Sequence, residues 1–532
     1  MLTFFRKIPR KTITEIVVLA VLLFWYGFFL FHKIDLTTAD LGRHLKNGEL
    51  VLENFSFENP VLKTNFYSYT QPEYPVINHH WLSGIAFSLV FKAAGFVGVH
   101  WFFIILSFIA FWLFFRLAKK EAGLEVAGIL SLLIIPLISE RTEIRPEVFS
   151  YVFCGVFLNL LWEYRENRLG WKKLLWLPLL EIFWVNLHLY FFLGPLLILI
   201  FLIEMMSRLF HGREKDVTRG LPIVFFLTIL ATLINPFGLQ GSLAPLSIFN
   251  NYGYRLVENQ SIWFLEKLGF VVNPNFLLLK IALSVLLLSF ILAAKANWRR
   301  ISPVNAFMAF GFTVGAVLAL RNFTVFALFF LPLVAANLKV IGEKVKFPSE
   351  IKLDFFSLPR SFLLAVLGIA IFALSLAAHQ SRLSAKPFGL GLFDGNEQSV
   401  QFFTSQSLKG PVFNNYDIGG YLIFYLFPKE RVFVDNRPEA YSKEFFEKEY
   451  IPIQENELRW QTAQSQYGFN AIFFAWHDAT PWGQQFLIER VKDKTWAPVY
   501  VDDFSIIFLK RNEQNQKIID KFELPKDYFK VI

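Results

Sequence analysis

The residues best suited to chemistry stand in one polar run, DLTTADLGRHLKNGELVLENFSFENPVLKTNFYSYTQPEYPVINHHW, from Asp35 to Trp81. Asp40 and His44 are one helical turn apart, a spacing that lets a carboxylate and an imidazole share a site and equally suits a solvated helix face. A carboxylate placed there can act as a general base. His79 and His80 add two imidazoles, but adjacent histidines usually point apart, and no Cys or His-x-x-x-His partner completes a zinc set. A shorter run, SERTEIRPE from Ser139 to Glu147, carries Glu140, Arg141, Glu143, Arg145 and Glu147 between two apolar stretches. Mixed charges there must face water or a site, and they suit a salt-bridge network as well as an anion site. Three further polar groups follow: Trp184, Asn186 and His188, with Glu181 two turns deeper; Arg255 and Glu258 within Asn235 to Asn275; and Arg321 with Asn322.

Apolar sequence surrounds these groups and must position them. The chain has 532 residues, 55% of them hydrophobic, and a mean hydropathy of +0.43, which excludes both an ordinary soluble domain and a disordered chain. It reads as a polytopic α-helical membrane protein. The formal charge of +9 comes from Lys and Arg gathered at one end of each apolar run, which is orientation bias and not a nucleic-acid-binding face. Cys154 is the single cysteine, so no intrachain disulfide forms. The first apolar run is too long for a signal peptide and lacks a small-residue cleavage site, so it reads as a retained anchor.

Runs long enough to cross a hydrocarbon core of roughly 30 Å fall near 13–31, 97–117, 123–138, 148–162, 174–188, 190–208, 220–235, 276–294, 302–320, 322–338 and 361–378. That predicts about 11 transmembrane helices. A cytoplasmic N-terminus places the basic clusters inside: Arg6, Lys7, Arg10 and Lys11; Arg116, Lys119 and Lys120; Arg165 to Lys173; Arg208 to Arg219; Lys295 to Arg300; and Lys339 to Arg360. The apolar segment Leu82 to Gly95 would invert this pattern if it crossed, so it reads as a juxtamembrane or re-entrant helix. The transmembrane domain is then 1–379, with a large first outer loop at 32–96. Residues 380–532 form an extracytoplasmic α/β domain. Its strands are expected at Pro411 to Asn414, Arg431 to Asp435, Ala471 to Ala475, Ala497 to Val501 and Ser505 to Leu509. Its helices are expected at Ile418 to Leu426, Lys443 to Tyr467 with a break at Pro452, and Trp482 to Lys492. All the polar groups named above fall on the outer side, where they can converge on one cavity.

This arrangement resembles the GT-C superfamily, membrane glycosyltransferases that use polyprenyl-phosphate-linked sugars and include protein mannosyltransferases, aminoarabinose transferases and oligosaccharyltransferases. Asp40-Leu-Gly-Arg-His44-Leu-Lys-Asn-Gly48, then Thr64-Asn65-Phe-Tyr-Ser-Tyr-Thr70 and His80-Trp81-Leu82, are similar to the first-loop signature of bacterial GT-C-like proteins. Arg145-Pro146-Glu147-Val-Phe-Ser150 and Trp184-Val-Asn186-Leu-His188 fit the same group. The resemblance implies Asp40 as catalytic base or metal ligand, with His44, Glu143 and Glu147 completing the catalytic set. It implies Arg141, Arg145, His188 and Arg321 around the donor phosphate, His79, His80 and Asn186 elsewhere in the site, and a Mg2+ or Mn2+ ion shared by Asp40, Glu143 and Glu147. The partners it implies are a polyprenyl-phosphate-linked sugar, membrane lipid and an extracytoplasmic acceptor, at the inner (plasma) membrane. Asn415-Tyr416-Asp417-Ile418-Gly419-Gly420 is similar to the Trp-Trp-Asp-Tyr-Gly region of oligosaccharyltransferases but lacks the tryptophans, so recognition of an Asn-x-Ser/Thr acceptor is not carried over. The alternative reading is a non-catalytic membrane assembly protein or a transporter with a periplasmic binding domain. Against a transporter, the two halves are unlike and the polar residues gather at the outer helix ends, not the midplane.

Overall fold

Long apolar segments satisfy their backbone in lipid only as helices or closed barrels, and each of the apolar runs falls on a helix. A computed structural model describes residues 10–210, 220–247, 250–269, 273–344, 350–353 and 356–529. Of the basic residues assigned inside, Arg6, Lys7, Arg213, Lys215, Arg219 and Lys346 lie outside the described residues. Among the described residues, six stretches are long and apolar enough to cross a membrane: Thr12–Leu30, Trp81–Ile138, Leu189–Leu209, Pro274–Arg300, Leu320–Lys344 and Phe362–Ser384. Gly220–Ala231 and Pro303–Leu318 are shorter apolar helices. The chain is therefore a helical membrane protein with a small C-terminal sheet, and its number of helices is not its number of spans.

The elements that matter for the site are α1 (Arg10–Leu30), α2 (Leu41–Glu53), α3 (Trp81–Ile138), α4 (Glu147–Arg165) and α5 (Phe323–Lys344). Helix α3 is broken at Gly95 (φ 62°, ψ −163°) and Gly123 (φ 86°, ψ 169°), backbone conformations that favour glycine. Its first piece, 81–94, is about 21 Å long, shorter than a hydrocarbon core, in keeping with a segment that does not cross. Helix α5 is apolar on every side and buried from Phe323 to Asn337, which makes it the central post against which α3 packs.

The C-terminal domain is built on strands β1 (Val412–Asn414), β2 (Ala471–Ala475), β3 (Trp496–Val501) and β4 (Ser505–Lys510), in the order β1-β2-β4-β3 with only the β1–β2 pair parallel. The strand expected at Arg431 to Asp435 does not join this sheet. Its backbone hydrogen bonds go elsewhere: Val432 N–H donates to Tyr67 O (3.1 Å), Tyr69 N–H donates to Val432 O (3.1 Å), and the Asn414 side chain takes Phe433 N–H (2.8 Å) while donating to Val434 O (2.7 Å). The segment is thus used to fasten the first outer loop to the domain. The break expected at Pro452 also moves. Pro452 sits in the first turn of Ile451–Glu455, where a missing N–H costs nothing, and the interruption falls at Asn456, whose side chain caps Glu457–Tyr467.

Helix α2 is clamped between the two halves. Gly48 packs directly on the backbone of Gly84 in α3, and a Cβ on Gly42 would lie 2.7 Å from the carbonyl of Gly420, in the short helix α6 (Gly419–Leu426). These close approaches carry the start of α2, with Asp40 and His44, to the seam between membrane helices and domain. Replacing Gly48 with Ala forces the α2 and α3 backbones apart. Thermal unfolding in detergent is expected to show a loss of about 3 kcal/mol, larger than for Ala at Gly311, where a Cβ meets open space.

Candidate functional site

Burying a charge is tolerable only where it is paired, and at the seam the chain pairs charges from four separate stretches. Arg141 makes a two-pronged bond to Glu147 (Nη2 to Oε1 2.9 Å, Nε to Oε2 3.1 Å) and a third, from Nη1 to Glu258 Oε2, at 2.5 Å. Arg145 donates to Glu143 Oε2 from Nε and Nη2 (3.0 and 2.8 Å) and to Glu258 Oε2 from Nη1 (3.1 Å), and Nη1 lies 3.0 Å from Asp40 Oδ2. Asp40 stands at the N-cap position of α2 but caps no backbone N–H, which leaves its carboxylate to this contact. Arg321 lies 3.8 Å from Glu147 and donates to Asn259 Oδ1 (3.0 Å), while its Nε finds no acceptor. Among the described residues, Arg43 bonds only the Asn436 side chain, at 3.1 Å.

These groups line a cavity of about 880 Å3 together with His44, His79, His80 and His188. The imidazoles cluster: His79 and His80 centroids are 4.1 Å apart, His80 and His188 5.3 Å, His44 and His80 5.5 Å. Burial pushes His44 and His80 well below the ordinary histidine range and His79 down to about 4, so these three are neutral near pH 7. The tautomer of His188 follows from its partners. Trp184 Nε1 donates to Ser150 Oγ (2.7 Å), so the Ser150 hydroxyl gives its proton to His188 Nδ1 (2.8 Å), which also takes the Tyr190 N–H (3.3 Å). Nε2 is left as the donor.

Asn186, a site candidate by sequence, does not line the cavity. It accepts from Trp81 Nε1 (2.8 Å) and donates to Ile182 O and Ile234 O, holding α3 against its own helix. The Asn65 to Thr70 motif is likewise structural: Asn65 accepts from Arg437 (2.9 Å), and Ser68 and Thr70 donate to Phe433 O. Glu140 anchors Arg382, Asn273 and Asn275.

The opposite wall belongs to the C-terminal domain and was the part least visible in sequence. Asp417, Glu439 and Asp478 line it, with Tyr416 stacked on Tyr254 at 4.3 Å. Asp478 takes the Asn415 side-chain N–H (2.9 Å) and Thr480 N–H (2.8 Å), but Asp417 has neither a hydrogen bond nor an ion pair among the described residues. Burial, then Asp478, Asp40 and Glu143, push the Asp417 carboxyl up to about 7. Burial also raises Asp40, against the pull of Arg145 and Arg43, and raises Glu439. Burial would raise Glu258 and Glu143 too, but the arginines outweigh it and hold both below the usual range. In the sequence Glu258 stands only within a polar stretch and Asp417 only within the segment similar to the Trp-Trp-Asp-Tyr-Gly region, and nothing local marks Asp478 or Glu439.

A divalent ion shared by Asp40, Glu143 and Glu147 is not what this arrangement favours. Glu143 and Asp40 both face the Arg145 guanidinium and Glu147 faces Arg141, so the oxygens a metal would need already serve fixed cations. Among the described residues, no three carboxylates, imidazoles or thiols gather around one point as ligands must.

No protein-family model and no curated protein matches the chain. Its fold is similar to that of the archaeal oligosaccharyltransferase AglB from Archaeoglobus fulgidus, solved in complex with an inhibitory peptide and a dolichol-phosphate. The TM-score is 0.55 at 13% identity, over 92% of this chain and 73% of that one. The chain thus shares its fold with that oligosaccharyltransferase.

Because the folded chain holds the Asp417 proton to about pH 7, against a model-compound value of 3.8, ionising this carboxyl weakens the folded state. Stability is lost as pH rises from about 4 to 7 and is not regained above that. The melting temperature of Asp417→Asn minus that of wild type is expected to climb across this window and then level off. A difference independent of pH would show that the carboxyl titrates normally.

Proposed function

We propose that the chain transfers a sugar from a polyprenyl-phosphate-linked donor to an extracytoplasmic acceptor, a glycan, lipid or protein. The observation that carries this reading is the pairing, in one cavity at the helix ends, of arginines with charge to spare and a carboxylate held by one oxygen. Arg321 meets only Glu147, at 3.8 Å and already gripped by Arg141, and Arg43 has no ion pair among the described residues, so both suit a phosphate through charge-assisted hydrogen bonds, with His188 Nε2 as a neutral donor. Arg141 and Arg145 add positive potential. Asp40 is gripped through Oδ2, so Oδ1 is free to work as the base. In the reaction, Oδ1 takes the proton of the acceptor hydroxyl as that oxygen bonds to the anomeric carbon. The bond from carbon to the phosphate oxygen breaks, and polyprenyl phosphate leaves with the electron pair. The leaving group is a stable anion and needs no acid.

The AglB structure contains a dolichol-phosphate, which supports a lipid-phosphate donor for the fold. The lipid chain would lie among the membrane helices and the acceptor would enter between the two walls. In this reading the protein sits in the inner (plasma) membrane with its N-terminus cytoplasmic and its C-terminal domain outside. A Cys placed at the exposed Glu457 of the domain is then expected to react with a membrane-impermeant maleimide in intact cells.

The direct test titrates the purified protein in lipid nanodiscs with undecaprenyl- and dolichyl-phosphate sugars and follows release of polyprenyl phosphate. Asp40→Asn, which preserves size, is expected to lower turnover about 10³-fold while donor binding persists. Arg321→Ala is expected to raise donor KM about tenfold or more. Turnover unchanged in Asp40→Asn removes Asp40 as base, and no binding of any lipid donor favours the non-catalytic reading.

A further inference from the structure

Three carboxylates from three distant stretches surround one guanidinium, on different edges of it. Asp40 from the start of α2, Glu143 from the loop before α4 and Glu258 from the short turn Val257–Asn259 each place an oxygen 2.8–3.1 Å from the nitrogens of the Arg145 guanidinium. This is the geometry of a cation held by oxygen ligands, with the cation covalently attached to the chain. Its position is set locally as well. Arg145 precedes Pro146, which restricts its backbone, and its carbonyl accepts from Val148 N–H at 3.4 Å in the first turn of α4. A divalent ion inserted here would have to break the bonds to Arg145. With Arg145 gone, three carboxylates would face the volume that its guanidinium leaves.

We propose that the Arg145 guanidinium is the built-in cation of this site, standing where a divalent metal would bridge Asp40, Glu143 and Glu258, so that the protein binds no divalent metal there and works without one. Arg145 is a positioning residue: it grips one oxygen of Asp40 and thereby aims the other at the acceptor hydroxyl. The statement about metal binding stands on the geometry alone, and only the statement about turnover rests on the glycosyltransferase reading.

The test is a Mn2+ titration of the EDTA-stripped full-length protein in nanodiscs, read by electron paramagnetic resonance of free and bound Mn2+. Wild type is expected to bind no stoichiometric Mn2+. Arg145→Ala is expected to gain one Mn2+ per chain, lost again when Asp40→Asn is added, and Arg145→Lys to exclude the ion as wild type does. A folded Arg145→Ala that binds none overturns the proposal. So does wild type binding one Mn2+ that Asp40→Asn removes, a result that decides the matter even where Arg145→Ala does not fold. If lipid-donor turnover is found, it is expected to be unchanged by EDTA in wild type, to fall about hundredfold in Arg145→Ala and to recover in part with Mn2+. Turnover abolished by EDTA in wild type overturns the proposal as well. If no donor turns over, the sugar-transfer reading fails while the Mn2+ titration still gives its answer.

Discussion

Asp40, Glu143, Glu147 and Glu258 share one partly enclosed space with Arg141, Arg145 and Arg321, and the surrounding segments are arranged to let them pair. A buried charge that loses its partner costs about 3–5 kcal/mol, so each of these residues constrains the backbone of the next. The Ser139 to Glu147 loop must turn so that Arg141 reaches Glu147 and Glu258 while Arg145 reaches Glu143 and Asp40. The turn at Val257–Asn259 must come down over the same point. The network is weak evidence for stability, since desolvation offsets most of its attraction, but it is strong evidence for a rigid, preorganised electrostatic environment.

Helix α2 is the mechanical link. It is amphipathic and buried on the face that carries Leu41, His44, Leu45, Gly48 and Val51. The glycine contacts that press it on α3 and α6 leave no slack in the position of Asp40. A cavity formed this way has unlike walls. On the membrane side every carboxylate that approaches an arginine is matched, whereas on the domain side Asp417 and Glu439 face the cavity unmatched and are protonated more readily. In the proposed reaction the first wall suits an anionic donor and the second an acceptor that brings hydroxyl or other donor groups.

The motifs that carried the resemblance turn out to explain one another. Ser150 and Trp184 fix the tautomer of His188, Asn186 holds Trp81, and Asn65 and Thr70 bind the loop to the domain. Most of the motif residues are therefore scaffolding for a few that reach the cavity. Asp40, His44 and the Arg141 to Glu147 stretch were legible in sequence because charge is conspicuous between apolar runs. Asn186 was conspicuous for the same reason and is structural, since a polar residue at a helix end answers a backbone or a neighbour as readily as a substrate.

The sequence by itself determined the helices, the gathering of polar groups at helix ends and the α/β character of the C-terminal part. Those properties follow from hydrophobicity and periodicity over some twenty residues, in a solvent that forces backbone groups to pair within the segment. Only the tertiary structure decided that Arg145 stands between Asp40, Glu143 and Glu258, that Asp417 and Asp478 face Asp40 across one cavity, and that the segment at Arg431 to Asp435 fastens a loop and not a sheet. Apart from the contact of Arg145 with Glu143, these pairings join residues more than a hundred positions apart, and a charge carries no mark of which distant partner will neutralise it until the packing of the helices brings the two together.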